Sequence, residues 1–155
     1  MEKRNDRLQG LIRNYLPADY VDSFSRIVQS RRTVAPEDFA GMAFDRPPAW
    51  IGRLMKLRNR LVGPLGLKTG GRFTDRVCAR SPDEIVFGMP DKHLTFHVSL
   101  RCGEKGPAGQ RLSMTTVVRF NNRLGRLYFF LIRPFHKIIV YATMKRVADR
   151  CARME

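Results

Sequence analysis

The sequence predicts an α+β fold in which a curved antiparallel sheet grips one long C-terminal helix, with two short helices after the first strand. Three observations carry this prediction. Across 121–144 the apolar residues recur at helical spacing, from residue 72 to residue 120 the pattern alternates with period two, and compact helix signals stand before that alternation. An antiparallel sheet can leave one face in water while the other needs cover. Only the last helix is long enough to supply that cover. At 155 residues the chain is expected to form one domain, 1–155, burying roughly 70% of the unfolded surface.

Taken in order, residues 1–16 begin charged and end in an apolar lead-in, short helical or extended. Residues 19–28 read as a first strand of weak alternation. Ala35-Pro36-Glu37-Asp38 opens a helix, with proline in the first turn and acids beside the positive dipole end. Asp45-Arg46-Pro47-Pro48 breaks it. A second helix runs from Pro48 to about Val62, with Trp50, Ile51, Leu54, Met55, Leu57, Leu61 and Val62 on one apolar arc. Arg58 projects within that arc, either snorkelling to its edge or serving as a buried pair or ligand anchor. Gly63-Pro64 ends the helix.

Period two then takes over. Phe73, Val77 and Ala79 lead to a turn at Ser81-Pro82-Asp83; Ile85, Phe87 and Met89 run up to Pro90-Asp91. Leu94, Phe96, Val98 and Leu100, alternating with His93, Thr95, His97 and Ser99, make the cleanest strand. A glycine-rich loop at 103–109 leads into Leu112, Met114, Thr116, Val118 and Phe120. Short connections make these strands an antiparallel meander.

In the last helix, Leu124, Leu127, Tyr128, Leu131, Phe135, Ile138, Ile139 and Ala142 are expected to face the sheet, with Arg126, Arg133 and Lys137 opposite. Asn121 or Asn122 can cap its start, and Lys145, Arg146 and Arg150 suit its negative end. Pro134 removes one helical hydrogen bond and should kink it. A membrane span is argued against by Arg126, Arg133, His136 and Lys137 within the apolar run. A strand at 127–132 followed by a helix from Pro134 is the other alternative. The apolar spacing passes unbroken through the proline, which favours one helix.

Charge is lopsided, with 29 basic against 14 acidic residues and a net +15. Such a surface attracts nucleic acid, anionic membrane or acidic ligands, and equally serves as a solvated face. The basic residues are spread along the chain instead of gathered in an arm. The three cysteines, Cys78, Cys102 and Cys151, form no CxxC or Cys/His cluster, so neither a zinc site nor a disulfide framework is indicated. The first residues lack the apolar core of a signal peptide, and a reducing cytoplasm is expected. The segment 63–69 fails as a phosphate loop, because its glycine spacing is wrong and it follows a helix.

The element order is similar to that of helix-grip (SRPBCC-like) proteins, the arrangement of plant allergens, lipid-transfer proteins and polyketide cyclases. At the motif level, LMKLRNRLVGPLGLKTGG (54–71), DKHLTFHVSL (91–100) and TTVVRFNNRLGRLYFFLIRPFHKIIV (115–140) resemble the bacterial family called domain of unknown function 2867, DUF2867. The resemblance spans about 50–145. That family implies no established activity, though similar segments sometimes follow a dinucleotide-binding reductase domain. The acid usual in the family after the His-Leu pair is Thr95 here, and the arginine two places on is His97.

A sheet curling around a helix suggests an apolar cavity between them. Its candidate lining is Arg58, Thr116, Tyr128, Leu131, Phe135 and His136. His136 follows the proline, where it can titrate near a cavity or bond the carbonyl that proline frees. His93 and His97 share a strand face opposite the apolar residues and are expected in solvent, without a third metal ligand. Tyr128, Tyr141 and Thr116 can place hydroxyls near the cavity, though core packing is the commoner use. No serine, cysteine or carboxylate sits in a motif that marks a nucleophile or acid/base pair, and no cofactor is indicated. The expected function is a small apolar-ligand-binding module without catalysis. The alternatives are a cavity-based enzyme or reductase partner domain, and a basic surface binder of nucleic acid or anionic membrane. Aromatic stacking positions interleaved with the basic residues would favour the last, and none is seen.

Overall fold

The structure, a computed structural model, describes residues 8–65, 75–90 and 93–154. The charged residues 1–7, the glycine segment beyond residue 65, Phe73 and Asp91 lie outside these, as do the side chains of Val62 and Met89. A 3-10 turn, Leu11–Tyr15, precedes strand β1, Tyr20–Val28. Helices α1, Pro36–Phe44, and α2, Ala49–Val62, follow, with a 3-10 turn Gly63–Leu65. Strands β2, Val77–Arg80, β3, Glu84–Pro90, β4, Leu94–Gly106, and β5, Gly109–Phe120, lead to helix α3, Arg123–Ala152. The sheet is wholly antiparallel in the order β1-β5-β4-β3-β2. This is the α+β architecture that the alternation and the long helical repeat predict.

Period two decides which side chains meet α3. Phe87, Val98, Leu100, Leu112 and Met114 share a cluster with Phe39 of α1 and with Val140, Met144 and Val147 of α3. Leu94 and Val118 pack with Tyr128 and Phe129 nearer the start of α3. Asn122 caps that start, its Oδ1 accepting from the Gly125 amide at 2.9 Å, and the helix continues through Pro134.

The phase of α3 follows the sequence expectation only in part: Tyr128 is buried and Arg126, Arg133 and Lys137 are exposed as expected, but other positions differ. Gly125, Phe129, Val140, Thr143, Val147 and Cys151 are buried, whereas Leu127, Leu131 and Ile138, expected against the sheet, are exposed. Gly125 supplies a physical reason. A Cβ there would collide with the His93 carbonyl, so the helix can press this close to β4 only with Gly125 turned inward. The stripe spaced from it by threes and fours then takes the sheet, although it includes His136 and Thr143.

Helix α2 departs in the same sense. Ile51 is buried, while Trp50, Leu57 and Leu61 of the expected apolar arc are exposed. The glycine-rich loop expected at 103–109 is mostly strand. β4 and β5 extend to a tight turn between Gly106 and Gly109, and Gly109 takes φ 117°, a left-handed value.

The sheet's other face is also covered in part. Leu8 and Ile12 pack on Val86 and Val117, and the buried Glu84 carboxylate accepts from the Leu11 amide at 2.6 Å, the Ile12 amide at 3.2 Å and the Ser99 hydroxyl. Tyr15 stacks on His97 with ring centroids 3.9 Å apart. His97 is therefore half-buried, not solvated as its strand face suggests, and burial lowers its pKa.

Candidate functional site

Beneath the middle of α3 lies a small polar cluster. Tyr20, Asp22 and Phe24 alternate inward from β1, and Asp22 stands opposite Thr116 of β5. The Tyr20 hydroxyl donates to Asp22 Oδ2 at 2.7 Å, and His136 Nε2 lies 3.0 Å from the same oxygen. The Asp22 and His136 side chains are 8% and 20% exposed. Asp22 Oδ1 and Thr116 Oγ1 are buried and find no hydrogen-bond partner among the described residues. The Tyr20 ring packs against Phe129 at 4.6 Å, with the Arg133 guanidinium 5.4 Å from its centroid. Burial first, and the Asp22 hydrogen bond second, hold the Tyr20 hydroxyl above its ordinary pKa. An imidazole fixed by a carboxylate through one nitrogen keeps the other for proton exchange or ligand contact.

The six residues expected around a cavity are thus dispersed. His136 and Thr116 come together with Asp22, and His136 bonds that carboxylate instead of a carbonyl freed by Pro134. Tyr128 is buried, with the Arg58 guanidinium 5.7 Å from its ring centroid. Arg58 packs on this neighbour, half-buried, with its Nε fully covered. Phe135 is half-buried and Leu131 is 38% exposed. Asp22 and Tyr20 were missed by sequence reasoning. Their signal was an acid and a phenol on the inward parity of a strand, weak because the strand's alternation is weak.

Two grooves lie elsewhere on the protein. A groove of about 810 Å³ opens where the end of β5 turns into α3. Phe120, Leu127 and Phe130 supply apolar surface there, Arg123 and Arg126 supply cations, and Asp19 stands on the lining. Asp19 Oδ2 accepts from the Phe120 amide at 2.6 Å, and the Arg126 guanidinium lies 5.7 Å from the Phe120 ring centroid. A second groove of about 490 Å³, on the far face, is lined in part by Tyr15, His97 and Arg119. None of the six expected cavity residues lines either groove.

Among the described residues no group of three His, Cys, Asp or Glu side chains is placed to hold a metal ion. Burial pushes the Cys102 thiol up to about 12, which suits packing and not nucleophilic attack. No described helix is long and apolar enough to cross a membrane.

The family model described as protein of unknown function DUF2867 matches residues 15–143, so the chain belongs to that family. The match reaches well before residue 50 and takes in β1, α1 and all of the polar cluster. No curated protein matches the chain.

Proposed function

We propose that this family member is a non-catalytic binding module for a small apolar ligand with an acidic head, held in the groove between the end of β5 and the start of α3. The observation that carries the reading is the lining itself. Phe120, Leu127 and Phe130 meet Arg123 and Arg126 in a space of ligand size. Phe130 is 72% exposed, an aromatic left open by the described residues. An apolar tail lies along these three side chains while a carboxylate or phosphate takes the guanidiniums, which recognise both as planar charged forks.

Isothermal titration of the full chain with a long-chain fatty acid and with the alcohol of equal length tests this. The acid binds at one site, about tenfold or more tighter than the alcohol, because a charge-assisted hydrogen bond contributes about 1.5–3 kcal/mol. Arg126→Gln removes most of that preference. Equal affinity for acid and alcohol, or no binding of either, refutes the reading.

A second reading, a cavity-based enzyme, is favoured by the Asp22–His136 pair with Tyr20 and the unpartnered Thr116 hydroxyl. Recovery of bound ligand chemically unchanged after long incubation retires it. Conversion that His136→Ala abolishes establishes it.

A further inference from the structure

The outward side of α3 from Leu127 to Tyr141 is left open by the described residues. Leu127, Leu131, Ile138 and Tyr141, 48%, 38%, 51% and 61% exposed, are spaced by four, seven and three and so form one stripe. Phe130 stands beside them. Arg126, Arg133 and Lys137 flank the stripe, and the first acid in α3 is Asp149. Helix α2, which meets α3 where Arg58 packs on Tyr128, repeats the pattern. It exposes Trp50, Leu57 and Leu61 beside Arg53, Lys56 and Arg60 and contains no acid.

Exposed apolar and aromatic side chains flanked along the same helix by arginine and lysine are the composition of a helix that lies in a bilayer interface. We propose that this face docks on an anionic lipid bilayer, with α3 lying along the surface. Charge complementarity selects this occupant. A second copy would set these cations against their own kind, with no acid on α2 and none on α3 before Asp149 to offset them. Nucleic acid would match the cations but leave Leu131 and Ile138 without a partner. A bilayer answers both, with anionic headgroups for the guanidinium and ammonium groups and acyl chains for the stripe. The back of a helix is convex, and a soft surface moulds to it. Leu127 and Phe130 also line the groove, so a lipid-like ligand would pass between bilayer and groove along one face.

The test is sedimentation of the full chain with phosphatidylcholine vesicles, with and without phosphatidylserine. Binding to the anionic vesicles alone is expected, weakening as salt is raised. Ile138→Ser should reduce it about tenfold and Lys137→Gln about fivefold, with Lys137→Arg restoring it. Neither residue lines the groove, so fatty-acid affinity separates failure of this proposal from failure of the groove reading. Both are exposed, and an unchanged denaturation midpoint certifies the fold. Absence of binding to anionic vesicles, or equal binding by Ile138→Ser, overturns the proposal. Self-association that Ile138→Ser abolishes overturns it in favour of a second copy.

Discussion

The two halves of α3 are built from the same kinds of residue and put to opposite uses. In the C-terminal half the buried stripe is Val140, Thr143, Met144, Val147 and Cys151, seated on the sheet and α1. Arg146 donates to the Ala43 carbonyl at 2.5 Å and Arg150 to the Met42 carbonyl at 3.0 Å, so two cations close the C-terminal end of α1. In the N-terminal half the inward side holds Gly125, Tyr128, Phe129 and the half-buried His136, while Leu127, Phe130 and Leu131 face out. Helical residues that pack nothing inside the protein contribute little to its stability. Their chemistry is therefore available to a ligand or surface, and the arginines that close α1 are not.

Substitution should separate the halves. Met144→Ala, in the closed half, should lower stability by about 2–5 kcal/mol through a buried cavity. His136→Ala, at the junction, should lower it by about 1–3 kcal/mol, because the Asp22 carboxylate loses a partner where water is scarce. Urea denaturation measures both. If His136→Ala proved the costlier, the polar cluster and not the apolar contacts would hold α3 to the sheet.

Acid should act elsewhere. His97 binds its proton less readily folded than unfolded, so its contribution to stability is complete above the ordinary histidine pKa near 6.5 and is lost as pH falls through the lowered folded value. Midpoints taken from pH 7 to pH 5 should fall less steeply for His97→Gln than for the wild type. Parallel slopes would show that folding leaves the affinity of His97 for its proton unchanged. The smallest effect is reserved for the open half. Phe130→Ala should change stability by no more than about 0.5 kcal/mol.

The architecture was legible because period two and period 3.6 are backbone properties that the sequence expresses directly. Every expected strand and helix of the described residues is present, with α3 capped at Asn122 as one of the two anticipated caps. The phase of α3 was legible only in part, since Tyr128 faces in and Arg126, Arg133 and Lys137 face out as expected while Leu127, Leu131 and Ile138 do not face in. Apolar periodicity finds the most apolar stripe and assumes that it faces the core, but here a bulky stripe faces out and one containing Gly125, His136 and Thr143 faces in. The steric fact that decides this, Gly125 against the His93 carbonyl, joins residues far apart in sequence. The same limit hid Asp22, whose partner His136 is 114 positions away. It also hid the cover over His97, since a lead-in of unassigned structure gives no hint of which strand it crosses.

The most direct test of the open half is a fluorescence measurement. Trp50 is the only tryptophan, so Trp50→Phe combined with Phe130→Trp leaves one reporter on the outward side of α3. In the free protein that reporter should emit as a solvent-exposed indole and be fully open to acrylamide. Anionic vesicles or a long-chain fatty acid should then shift its emission to the blue and shield it. A blue, shielded emission from the folded protein alone would contradict the account, because the face taken here for a recognition surface would already be covered.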